Sequence, residues 1–190
     1  MLKFIKTAKF RIAIITVICL MSFFVFSPEP TQASADPPAG RVWLIKPGYG
    51  IGPVRLRMNF DDVYSMFGQP EQREGKNGDW AITWKYRCGN GTLEICFWIN
   101  TSLYNLEYTV ASITVRGAAP CETKEGVAPN SSPQEIVSRM GRGYKTTGDP
   151  TSACRRDYGG LEISTANGRI YYMSVYDSNS DGHFGGLPRR

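Results

Sequence analysis

One histidine, His183, is all that the 190 residues contain, and it stands in a glycine-rich C-terminal stretch. A Ser/His/Asp or Cys/His site needs a base held against its nucleophile, so the body of the chain has no residue for that role. No Cys-x-x-Cys occurs, and with so little histidine a structural zinc site is excluded too. Gly48, Gly50 and Gly52 lack a third Rossmann glycine, whose place is taken by Pro53, and no Lys-Ser/Thr follows; a phosphate loop is excluded. The apolar run from Ile12 to Phe26 is 15 residues, short of the roughly 20 that span a bilayer as a helix. No cofactor is expected.

What stands before that run gives it a meaning. Lys3, Lys6, Lys9 and Arg11 lead into it, and Ser27-Pro28-Glu29-Pro30 and Ala33-Ser34-Ala35 follow, the order of a secretory signal cleaved after Ala35. Removing residues 1–35 takes away four basic residues and Glu29, leaving 18 Lys+Arg against 16 Asp+Glu. Net charge falls from +5 to +2, no basic patch argues for nucleic acid, and no stable membrane anchor remains. The expected location is extracytoplasmic, either secreted or in the cell envelope.

Two stretches inside the chain echo each other. Asn59 to Pro70 and Ser132 to Gly141 superpose at an offset of 73 positions, which puts Val63 on Ile136, Tyr64 on Val137, Phe67 on Met140 and Gly68 on Gly141. Asn59 and Ser132 are N-cap types, Ser132 and Glu135 form a capping box around Pro133, and the glycines suit a left-handed residue past each helix end. Each helix is followed by a hairpin and a third strand. Trp80 to Cys88 and Thr92 to Ile99 flank Asn90-Gly91, with Tyr108 to Arg116 next; Ala153 to Tyr158 and Leu161 to Thr165 flank Gly159-Gly160, with Arg169 to Asp177 next. The expected fold class is α+β: two tandem units, each a short helix packed on an antiparallel sheet of three or more strands. The expected segments are an N-terminal segment 36–49 with a leading strand at Arg41 to Ile45, unit 1 over 50–117, a linker 118–125, unit 2 over 126–177 and a flexible tail 178–190.

Alternation sorts the strand residues into faces. Trp80, Ile82, Trp84 and Tyr86 form a buried row with Leu93, Ile95, Phe97 and Ile99. A two-residue turn at Asn90-Gly91 pairs Trp84 with Phe97 and Tyr86 with Ile95. Tyr171, Met173 and Val175 join the buried side, leaving Tyr172, Ser174 and Tyr176 outward. Four cysteines lie beyond the leader, Cys88, Cys96, Cys121 and Cys154, and an even count behind a signal reads as two disulfides. Cys88 belongs to the buried row and Cys96 to the opposite one, which disfavours a bridge between them. Two pairings stay open: 88 to 121 with 96 to 154, or 88 to 154 with 96 to 121.

Three sequons stand at Asn90, Asn100 and Asn130. Asp177, Asn179 and Asp181 begin a calcium-loop pattern, but Pro188 stands where its bidentate Glu belongs, and no metal is assigned. Glu94 and Glu162, on equivalent strands, are the carboxylates on which a small hydrolase would depend. The exposed face carries Lys85, Arg87, Trp98, Tyr172 and Tyr176, residue types that anchor protein interfaces. They are the candidate contacts for a protein partner.

The segment from Gly50 to Val63, a helix closing at Phe67-Gly68-Gln69-Pro70 and the hairpin after it resemble the opening of SmpA/OmlA (BamE)-type envelope domains. Two such units in tandem are similar to secreted β-lactamase inhibitor proteins. The resemblance implies a helix packed on an antiparallel sheet and a non-enzymatic function of binding another protein, as an enzyme inhibitor or an envelope assembly factor. Arg57 and Asn130 stand where those families often carry Gly, and no lipid-bearing Cys follows the leader.

Overall fold

The computed structural model describes residues 34–100, 107–143, 145–149 and 153–178. Two helices occur among them, α1 (Phe60–Phe67) and α2 (Pro133–Met140). The Asn59 side chain accepts the Asp62 N–H at 2.8 Å. Ser132 Oγ accepts the Glu135 N–H at 3.2 Å, while Glu135 accepts back from the Ser132 N–H at 2.7 Å. Gly68 and Gly141, at φ 71° and 81°, stop the helices in a backbone region that costs other residues energy. At eight residues neither helix could persist alone; each is held by packing.

The strands dominate. β1 (Trp43–Lys46), β2 (Gly50–Ile51), β3 (Val54–Arg55) and β8 (Cys121–Thr123) make a four-stranded sheet in the order β3-β2-β1-β8. The long sheet takes β4 (Gln72–Glu74), β5 (Ala81–Cys88), β6 (Asn90–Asn100), β7 (Glu107–Ala118), β9 (Lys145–Asp149), β10 (Ala153–Asp157), β11 (Leu161–Ala166) and β12 (Arg169–Tyr176), in the order β4-β5-β6-β7-β12-β11-β10-β9.

This overturns the expected fold class. Strand accounts for 52% and helix for 12% of the structure, arranged as sheets of four and eight strands rather than as a tandem pair of helix-on-sheet units. The reason lies at the strand edges. A separate three-stranded unit would leave β7 or β12 with unpaired N–H and C=O groups. Instead the two strands pair antiparallel with each other, Arg116 opposite Tyr172 and Thr114 opposite Ser174, and close the seam. The expected leading strand is present, and part of the expected linker pairs with it: Trp43 to Ile45 run parallel to Cys121 to Thr123.

The hairpin register also differs from expectation, by two residues. Trp84 faces Ile95 and Tyr86 faces Leu93, because the turn is at Gly89-Asn90. Gly89 takes φ 57° while Asn90 does not take a positive φ, which is the demand of a turn with glycine first. Gly91 is drawn into β6, where a Cβ would come within 2.2 Å of the Arg116 carbonyl oxygen. A shift of two leaves every side chain on its face, so the buried row survives. Its first member does not: Trp80 precedes β5 and is 76% exposed.

The core lies on one side of the long sheet. Ile82, Trp84, Tyr86, Leu93, Ile95, Phe97, Ile113, Val115, Ile163, Met173 and Val175 are buried with Ile45, Ile51 and Val54 of the short sheet in one cluster. Phe60 of α1 stacks between Trp84 and Tyr108 at 4.7 and 4.8 Å and meets the edge of Phe97 at 4.4 Å. Such ring pairs are each worth about 0.5–1.5 kcal/mol beyond area burial. With helices and the short sheet on one side, the opposite face of the long sheet is left to carry other chemistry.

Candidate functional site

Strand pairing places the outer residues in transverse rows. One row crosses six strands: Lys85, Glu94, Thr114, Ser174, Glu162 and Asp157. The next holds Arg87, Thr92, Arg116, Tyr172, Ser164 and Arg155. A row rich in carboxylates thus lies beside one rich in guanidinium groups. Arg116 Nε bonds Glu94 at 3.0 Å and Arg155 Nε meets Glu162 at 3.2 Å. Thr114 and Ser174 share a 2.8 Å hydrogen bond at the middle of the sheet.

Arg116 is the centre of this surface. Its guanidinium lies 5.0 Å from the ring centres of both Tyr171 and Tyr172, within cation–π range. The Tyr172 hydroxyl donates to Glu162. Burial first, then that bond, pushes the Tyr172 phenol up to about 12. Tyr176 donates to Asp157 at 2.5 Å, and its phenol is also raised, chiefly by burial. Lys85 bonds Glu74 of β4 at 2.6 Å, which raises its ammonium, and Arg87 stands 4.0 Å from Glu71.

All five expected contact residues, Lys85, Arg87, Trp98, Tyr172 and Tyr176, fall on this face, spread over β5, β6 and β12. Arg87 is exposed, and the others are half-buried. Two residues escaped the sequence reading. Arg116 stands at an expected strand end with no expected role, and Tyr171, expected in the core, is 59% exposed. A bulge explains the second: Ser164 faces Tyr172 and Thr165 faces Ile170, so Tyr171 is the extra residue. Two tyrosines in succession, breaking the alternation, were the available signal.

The carboxylates of the hydrolase reading are engaged elsewhere. Glu94 and Glu162 share a row but stand three strands apart, about 14 Å at the usual strand spacing. Paired glycosidase carboxylates sit at about 5–9.5 Å. Glu162 is not exposed as expected, since Tyr172 and Arg155 cover it to 5%. Among the described residues no group of three or more His, Cys, Asp or Glu is placed to hold a metal. Asp177 pairs with Arg57 at 2.5 Å; Asn179, Asp181 and His183 lie outside the described residues.

No bridge joins Cys88, Cys96, Cys121 and Cys154, the four cysteines among the described residues. Cys96, on the outer face of β6, is hydrogen-bonded among Thr83, Trp98 and Ser112, and burial raises its thiol against those bonds. Cys154 is buried on β10, four strands from β6 or about 19 Å. A bridge from 96 to 154 is therefore out of reach, and so is one from 88 to 154, five strands apart.

A separate cleft of about 750 Å³ runs beside Leu44, Lys46, Lys124, Arg139 and Tyr158. Two of its cations are paired locally, Lys124 with Glu125 at 3.6 Å and Arg139 with Glu135 at 3.8 Å.

Among the described residues no helix is long and apolar enough to cross a membrane. No family model matches the chain, and no curated protein matches it. Two solved structures are similar. A DUF4309 family protein (YjgB) from Bacillus subtilis aligns over 62% of this chain and 77% of its own, at 16% identity and a TM-score of 0.39. An extracellular protein containing a SCP domain, from Bacillus anthracis, aligns over 64% of this chain at 8% identity and a TM-score of 0.44; the match spans 44% of its length. Neither carries the name of the envelope-assembly or inhibitor families that the sequence resembles.

Proposed function

We propose that this is an exported, non-enzymatic protein-binding module whose contact surface is the outer face of the eight-stranded sheet. One observation supports the reading above the rest: Arg116 is held by Glu94 and by two tyrosine rings, one of them 59% exposed. A guanidinium and an aromatic ring fixed before contact lose little freedom on binding, which is the property of an interface anchor. Lys85, Arg87, Trp98, Tyr172 and Tyr176 lie on the same face, on β5, β6 and β12. The partner is a protein, engaged either as an inhibited secreted enzyme or as a component of an envelope assembly.

The test is capture from the native culture medium and from envelope extracts, with the wild type and with Tyr171→Ala, Arg116→Ala and Trp98→Ala as baits. A partner held by the wild type and weakened about 30-fold or more by the Tyr171 or Arg116 change, with unaltered melting, supports the surface. Equal retention by all variants overturns it. Recovery from medium with loss of one enzyme's activity marks an inhibitor; fractionation with the envelope marks an assembly factor.

Export is carried by the leader, and the interior bears on where it ends. Ala35 is wholly buried and donates its N–H to the Arg87 carbonyl at 2.9 Å. Ser34 bridges in parallel to Arg87, and Asp36 accepts the Gly89 N–H. Cleavage after Ala35 would remove a seated residue from this corner. Cleavage between Ala33 and Ser34, or earlier, leaves it intact, and Thr31 and Ala33 provide the small residues such a site needs. The intact mass of exported protein is expected to place its first residue at or before Ser34; a start at Asp36 contradicts this.

A further inference from the structure

Cys88 ends β5 of the long sheet and Cys121 begins β8 of the short one. Both are buried, at 0% and 2% exposed, within the same apolar cluster. The neighbouring Cys88 thiol, together with burial, pushes the Cys121 thiol well above its ordinary value. The backbone around them is equally close. Asn90 pairs with Ala118, and a Cβ on Gly89 would meet the Pro120 ring at 2.8 Å. Trp43 donates to the Pro120 carbonyl at 2.9 Å and pairs with Cys121. Two buried cysteines on strand ends that approach this closely need little backbone movement to join.

We infer that Cys88 and Cys121 form the protein's one structural disulfide, a staple between the two sheets, and that Cys96 and Cys154 remain thiols. It separates the two halves of a pairing that the sequence left open: 88 to 121 is in reach and 96 to 154 is not. The chemistry is thiol–disulfide exchange with a disulfide oxidant. Each thiol gives up a proton, the Sγ–Sγ bond forms, and two electrons reduce the oxidant's disulfide to two thiols, which take up the protons. Because both sulfurs are shielded in the fold, oxidation accompanies folding, and the finished bond resists added reductant.

Staples of this kind act on the unfolded chain, here by closing the stretch between residues 88 and 121. The inference rests on export for its oxidising compartment, and the experiment separates the two. Protein purified from an exporting host is reduced, refolded with reduced and oxidised glutathione, alkylated without further reductant and mapped by mass spectrometry. A peptide pair joining Cys88 to Cys121, with Cys96 and Cys154 alkylated, is expected. The bridged form should melt about 5–15 °C above the Cys88→Ala, Cys121→Ala double variant. Four alkylated thiols, or any other linked pair, overturns the inference. The same map made before reduction reports on the compartment: a bridge formed with glutathione and missing from the exported material would contradict export into oxidising surroundings and leave the geometry intact.

Discussion

Phe97→Ala is expected to cost about 3–5 kcal/mol, the range for emptying a buried aromatic site. Phe97 is fully buried in the inner row of β6, with the ring of Phe60 at 4.4 Å and that of Trp84 at 4.8 Å. Those two rings also stack on each other, so the lost ring is shared by the helix and the sheet. Neighbouring strands prevent the backbone from collapsing into the space. For a chain of this length each kcal/mol moves the melting temperature by about 2–4 °C, so a fall of about 6–20 °C is expected. Phe97→Leu should recover most of it. Trp80→Ala, at a side chain 76% exposed, is the control and should stay within about 0.5 kcal/mol. A Phe97→Ala protein that melts within 2 °C of the wild type would show that this aromatic group does not hold α1 to the sheet.

Gly160→Ala is the second large effect, and it works by crowding. Gly160 has φ 94°, where an L side chain is strained, and an added Cβ would lie 2.5 Å from the Gly48 nitrogen and 2.6 Å from its Cα. Those are backbone atoms and cannot rotate away. The same residue joins the two sheets, since its carbonyl accepts from the Gly48 N–H at 3.0 Å and from the Tyr176 N–H at 3.1 Å. Left-handed strain of about 1–2 kcal/mol adds to overpacking of about 1–3 kcal/mol, for a total near 3 kcal/mol. Gly168→Ala provides the comparison: φ is 71° and nothing lies within 4 Å of the new methyl. It should show the strain alone. Equal melting temperatures for the two variants would mean that the turn at Gly48 moves aside without cost.

Much of the local structure could be read in the chain. Asn59, Ser132, Glu135 and the glycines at 68 and 141 encode helix ends through hydrogen bonds only three or four residues long, so no distant partner is needed to see them. Alternation from Ile82 to Tyr86 and from Leu93 to Phe97 likewise reports the two faces of the hairpin. A shift of the turn by two residues left those faces unchanged. Where alternation breaks, period two no longer reports the face: Tyr171 lies outward because a bulge depends on the partner strand.

The candidate surface was legible in part for the same reason. Lys85, Arg87, Trp98, Tyr172 and Tyr176 were placed outward by period two alone. Arg116 became central only because β7 pairs with β12, which brings it beside Tyr172 and under Tyr171. Nothing within either strand announces that neighbour.

Taken by itself, the amino-acid sequence determined where helices start and stop and which face most strand residues take. The tertiary structure decided that eight strands form one sheet, that the segment before α1 pairs with the one after β7, and that Cys121 lies against Cys88. The physical reason is range. Caps, turns and alternation are set by neighbours in the chain, whereas sheet order and sulfur contacts are set by which unpaired edges and apolar faces can be satisfied together.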